Sequence, residues 1–98
     1  MSAPPGHAAP SRELLLANHR FPGPYVVKAF GPASDDFRSA IVGAATEVVG
    51  ETRADVQQRT SKRGAKVCVT LTLNAFSVDE VIDVYERLHR VPQLQMIL

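Results

Sequence analysis

Between residues 65 and 74 apolar and polar side chains alternate: Val67, Val69, Leu71 and Leu73 fall on one side, Lys66, Cys68, Thr70, Thr72 and Asn74 on the other. A period of two is that of a β-strand with one buried face and one polar face. Tyr25-Val26-Val27-Lys28-Ala29-Phe30 is rich in β-branched and aromatic residues and is stopped by Gly31-Pro32, which predicts an earlier strand. Residues 55–60 are β-forming but mostly polar, as suits an exposed edge strand, and Ser61-Lys62-Arg63-Gly64 supplies the turn that follows. Leu94, Met96 and Leu98 alternate again and predict a closing strand over residues 93–98.

Two stretches repeat at helical spacing instead. Phe37, Ile41, Ala44, Ala45 and Val48 form one apolar stripe, opened by Ser34 as N-cap with Asp35 and Asp36 in the first turn. It closes at Gly50, where a left-handed αL residue is expected. Gly43 is a weak point inside this helix, at about 1 kcal/mol relative to Ala unless close packing requires it. Val78, Val81, Ile82, Tyr85 and Leu88 make the second stripe, and Ser77-Val78-Asp79-Glu80 has the form of a capping box, Ser77 bonding forward and Glu80 reaching back. The order is β-α-β-β-α-β. Its fold class is α+β, a ferredoxin-like four-stranded antiparallel sheet with two helices on one face.

This domain occupies residues 21–98. Residues 1–20 read as a disordered or weakly helical tail: Pro4, Pro5 and Pro10 stand among small residues with too little apolar surface to offset chain ordering. Residues 11–19 suit one or two helical turns capped by Ser11, with Leu14, Leu15 and Leu16 seeking an apolar surface. The Phe21-Pro22-Gly23-Pro24 sequence then forces an extended or turned entry.

Composition narrows the range of functions. A chain of 98 residues with 45% hydrophobic side chains supports one modest core and excludes a large multi-domain enzyme. Eleven basic and 10 acidic residues leave a net charge of +1, against binding nucleic acid by a global field or a membrane by a polybasic anchor. With a single cysteine there is no internal disulfide, and with no secretory signal or membrane-length apolar run, a cytoplasmic location without membrane partners is expected.

With the elements placed, the wording resembles a known family. Phe21-Pro22 followed by Tyr25-Val26-Val27-Lys28-Ala29-Phe30-Gly31, the helix opening near Asp36-Phe37, Ser77-x-x-Glu80-x-x-x-x-Tyr85-x-x-Leu88 and the closing Val91-Pro92 and Leu98 resemble the YbeD-like family of uncharacterised bacterial proteins, over residues 21–98. The resemblance implies a ferredoxin-like fold similar to the ACT regulatory domains of amino-acid metabolism, and no established activity. With no phosphate loop, nucleotide fingerprint or nucleophile elbow in the sequence, the expectation is a non-enzymatic, ACT-like regulatory or protein-interaction domain, with a small metabolite as ligand. ACT-like domains often keep a glycine between the first strand and helix, where the backbone approaches an effector across a dimer interface. Phe30, Gly31 and Ser34 are the ligand-binding candidates on that basis. The plainer reading is that Gly31 supports a tight turn through positive φ. Pro32 follows Gly31, whereas proline precedes the glycine in the usual ACT wording.

Charge supplies a second candidate surface. Arg59, Lys62, Arg63 and Lys66 gather in the hairpin with no acid among them, while Asp79, Glu80, Asp83 and Glu86 gather on the last helix. Such a hairpin would meet an acidic partner or weakly bind nucleic acid, or pair with the acidic helix of a second subunit in a homodimer. The plainer reading is a solvated edge kept from aggregating by charge. The outer sheet face, with Val26, Lys28 and Phe30 beside Lys66, Cys68, Thr70 and Thr72, lacks the paired aromatics of an RNA-recognition motif. It would be covered by the three leucines of the tail or by a second subunit. Cys68 in mid-strand is a small packing residue rather than an activated nucleophile. His7, His19 and His89 lack metal-ligand spacing, so neither metal nor cofactor is expected.

Overall fold

The computed structural model describes residues 10–98. Four strands, β1 Gly23–Pro32, β2 Ala54–Thr60, β3 Lys66–Ala75 and β4 Met96–Ile97, form one antiparallel sheet in the order β2-β3-β1-β4. Helices α1 Arg12–Asn18, α2 Asp35–Val49 and α3 Val78–His89 complete the molecule, with a 3₁₀ turn Glu51–Arg53 between α2 and β2. This is the ferredoxin-like βαββαβ arrangement with α1 added before it.

The two central strands follow the period-two pattern closely. Tyr25, Val27 and Ala29 of β1 and Val67, Val69, Leu71, Leu73 and Ala75 of β3 are buried, and the register pairs Tyr25 with Leu73, Val27 with Leu71 and Ala29 with Val69. Over this inner face α2 lays Phe37, Ile41, Ala44, Ala45 and Val49, and α3 lays Val78, Val81, Val84, Tyr85 and Leu88. Val49 and Val84 thus take the deep places expected for Val48 and Ile82, which pack half-buried at the margin. The buried stripes are thus rotated slightly from those predicted.

The N-caps predicted for α2 and α3 are present: Ser34 Oγ accepts from Phe37 N–H at 3.1 Å and Ser77 Oγ from Glu80 N–H at 3.4 Å. Gly50 ends α2 at φ 83° and ψ 162°. Its φ is positive as expected, but this ψ lies outside αL, in an extended region open essentially to glycine alone. The closing strand is shorter than predicted. Gln93 at φ 70° turns the chain, and the ladder beside β1 runs from Gln95 N–H on Phe30 C=O to the paired bonds of Leu98 with Lys28.

The helical turns expected over residues 11–19 are present as α1, while residues 1–9 lie outside the described residues. Ser11 caps α1, and Leu15 is 1% exposed within the core cluster. Leu14 and Leu16 remain exposed, since consecutive helical residues point about 100° apart and only one can face the core. The helix rests against α3, with Arg12 ion-paired to Asp79, so the three leucines do not cover the outer sheet face.

Candidate functional site

Because the helices pack on the inner face, alternation leaves Val26, Lys28 and Phe30 of β1 on an open outer face with Cys68, Thr70 and Thr72 of β3. The register arranges them in rows. Arg59, Cys68, Phe30 and Met96 run across the sheet in one row, and Gln57, Thr70, Lys28 and Leu98 in the next. Val26 is 50% and Leu98 61% exposed, so apolar surface here is open to solvent. Between these rows lies a hollow of about 520 Å³, lined by Lys28, Phe30, Gln57, Gln58, Arg59, Cys68, Thr70 and Leu98. A smaller depression of about 200 Å³ adjoins it at the hairpin end, again against Phe30, Arg59 and Cys68.

The three loop candidates point in different directions. Phe30 lies half-buried on the outer face beside the hollow. Gly31 faces inward and is paired with Val67 in β1, and a Cβ there would fall 2.3 Å from the Phe37 ring. Its φ is not positive, so the glycine is required by ring packing and not by turn conformation. Ser34 Oγ is engaged by the backbone of Phe37 as the cap of α2.

Arg59, Lys62, Arg63 and Lys66 are all exposed, and none pairs with a carboxylate among the described residues. Lys66 Nζ donates to Gln95 Oε1 at 2.5 Å. The acidic helix is less negative than its sequence: Asp79 pairs with Arg12 and Glu80 with Arg53, leaving Asp83 and Glu86 on the exposed side. Cys68 is half-buried, its sulfur 3.9 Å from Thr70 Oγ1.

Two further arrangements join residues far apart in the sequence. Arg53 grips Glu80 with both terminal nitrogens at 2.8 Å, donates to Asn74 C=O at 3.1 Å and lies 3.7 Å over the Phe76 ring. Glu80 does reach back from the capping box, accepting Phe76 N–H at 2.6 Å, and the Arg53 hydrogen bond holds its carboxyl below the usual range. The capping-box glutamate was legible, but a partner 27 positions away was not. The second is a hydroxyl pair: Tyr25 and Tyr85 meet at 3.0 Å inside the core. Two tyrosines on facing apolar stripes were its available signal, since buried phenols need a partner. His19 packs against Tyr25, the ring centroids 4.7 Å apart and the planes tilted by 59°.

An antiparallel sheet in the order β2-β3-β1-β4, two helices on its inner face and an open outer face define a ferredoxin-like α+β domain. The chain belongs to a family described as protein of unknown function (DUF493), which matches residues 17–98. That agrees with its resemblance to uncharacterised proteins, and the match begins inside α1. No curated protein matches the chain. No helix among the described residues is long and apolar enough to cross a membrane.

Proposed function

We propose that the protein is a non-enzymatic, ACT-like binding domain of the cytoplasm that takes a small metabolite bearing a carboxylate beside an apolar group. The observation that carries this reading is the hollow of about 520 Å³ on the open sheet face, within the size range of small-ligand sites. Lys28 brings an ammonium with no carboxylate partner among the described residues, Phe30 and Leu98 bring apolar surface, and Gln57 and Thr70 bring hydrogen-bonding groups. Of the three loop candidates only Phe30 belongs to this site.

Thermal unfolding with a panel of amino acids, keto acids and short dicarboxylates tests it. At a hundredfold excess over Kd, linkage adds about 2.7 kcal/mol of stability. A saturable rise in Tm that disappears in Lys28→Glu supports the reading. A flat response across the panel, or the same rise in Lys28→Glu, removes it.

The four hairpin cations, without carboxylate partners among the described residues, favour a second reading, weak binding of nucleic acid or an acidic partner. Affinity for a labelled oligonucleotide would then fall steeply with salt and vanish on neutralising Arg59, Lys62, Arg63 and Lys66 together. An oligonucleotide affinity independent of salt, or unchanged in that variant, excludes it for nucleic acid.

A further inference from the structure

We infer that β2 is a self-complementary edge, through which two copies of this chain join their sheets in a two-fold dimer. The two edges of the sheet differ. At one, β4 spans two residues; at the other, β2 spans seven, without proline or bulge, in constant register with β3. A long, regular edge strand is a template for another strand unless it is blunted.

The ladder shows which backbone groups are available. Ser61 N–H donates to Lys66 C=O at 2.8 Å, and antiparallel hydrogen-bonded pairs recur every second residue. Asp55, Gln57 and Arg59 therefore direct their backbone groups at β3, and Ala54, Val56, Gln58 and Thr60 direct theirs away from the sheet.

The sequence of this strand, Ala-Asp-Val-Gln-Gln-Arg-Thr, then fixes a register. A two-fold axis through Gln57 sets Asp55 opposite Arg59 of the second copy, and Arg59 opposite its Asp55. Val56 meets Gln58 and Ala54 meets Thr60 in the hydrogen-bonded positions, so the free backbone groups find partners along the whole strand. The two charge pairs occupy non-hydrogen-bonded positions, where opposed side chains lie closest. Moving the register by two residues in either direction separates Asp55 from Arg59 and loses both pairs. In this arrangement residue i meets j and j meets i, as an isologous interface requires.

The flank of α2 agrees. A groove of about 480 Å³ opens between α2 and β2, lined in part by Arg38, Val42, Gly43, Ala54 and Val56. A Cβ at Gly43 would meet nothing within 4 Å, so packing inside one copy does not call for a glycine in that helix. Across the axis the grooves of two copies face each other on the inner side of the joined sheet, bringing Val42 and Val56 from both copies toward cover.

Sedimentation equilibrium of the full chain without ligand, over a range of concentration, tests this. Wild type is expected to dimerise, and Asp55→Arg or Arg59→Asp alone to weaken the dimer about tenfold or more by opposing like charges at both pairs. The double variant carrying both changes should regain wild-type affinity. Gln58→Pro should abolish the dimer while circular dichroism shows the fold retained, because its N–H points away from β3. A wild type that stays monomeric into the millimolar range overturns the inference, as does a dimer indifferent to Gln58→Pro or a double variant no stronger than the singles. Lys28→Glu, which tests the metabolite hollow, should leave the dimer intact, so the two readings fail separately.

Discussion

The ring of Phe37 comes close enough to β1 that a methyl group at Gly31 would overlap it, at 2.3 Å from Cζ. Phe37 is itself 2% exposed and lies among core side chains, so the ring has little room to withdraw. Gly31→Ala should therefore destabilise the protein by about 1–3 kcal/mol, the usual cost of overpacking a core. Phe37→Leu opens space at the same point, and the double variant should be more stable than the sum of the single losses implies. Urea denaturation of the four proteins checks this, and strict additivity would show that ring and glycine are not coupled. The glycine itself was visible in the sequence, but its reason was not. A break before proline suggests a turn, and only the packed helix shows that the missing side chain makes room for a residue six positions later.

The 3₁₀ turn Glu51–Arg53 and the start of α3 are fastened together by Arg53 and Glu80. Arg53 lowers the Glu80 carboxyl first through its side-chain hydrogen bonds, with the Phe76 amide adding to this and burial opposing it. A carboxylate with a depressed folded value contributes stability above its unfolded value of about 4.3, lost as pH falls through the folded one. The gap in unfolding midpoint between wild type and Glu80→Gln should thus be open at neutral pH and close in acid. A gap unchanged from neutrality to acid would mean that the ion pair is not its source. The strands and helices were legible because each carries its own period, and Ser34, Ser77 and Gly50 mark ends that local chemistry fixes. What periodicity could not place was contact between elements: that α1 would lie on α3, that β4 would shrink beyond the turn at Gln93, or that Arg53 would find Glu80. The outer-face residues Lys28, Phe30, Cys68 and Thr70 were legible by alternation. Their assembly into a hollow with Gln57 and Leu98 depended on register, which alternation alone does not set.

Only Arg12, Arg20 and Glu13 among the charged residues lie outside 21–98, so the domain keeps the near-neutral balance of the whole chain. The balance is local as well as global on the helical side, where Arg12, Arg53 and Arg87 each meet an acid. The hairpin cations meet no carboxylate among the described residues, which leaves positive charge at one end of the sheet. At the centre the molecule carries a feature of another kind. The chain has two tyrosines and no tryptophan, and both phenols are in the core, sharing one hydrogen bond. Burial, reinforced by that bond, pushes the Tyr85 hydroxyl far above the ordinary tyrosine range. Above about pH 10 the unfolded chain can ionise this phenol while the folded one holds its proton, so stability declines as pH rises beyond that point. The Tyr85 phenolate, read in a Tyr25→Phe variant, should accordingly appear together with loss of helical circular dichroism in a single cooperative step. A simple titration of Tyr85 near pH 10 with the helices intact would contradict its burial. Until that step tyrosine absorbance reports on one place only, so the chain carries its own optical gauge of an intact core.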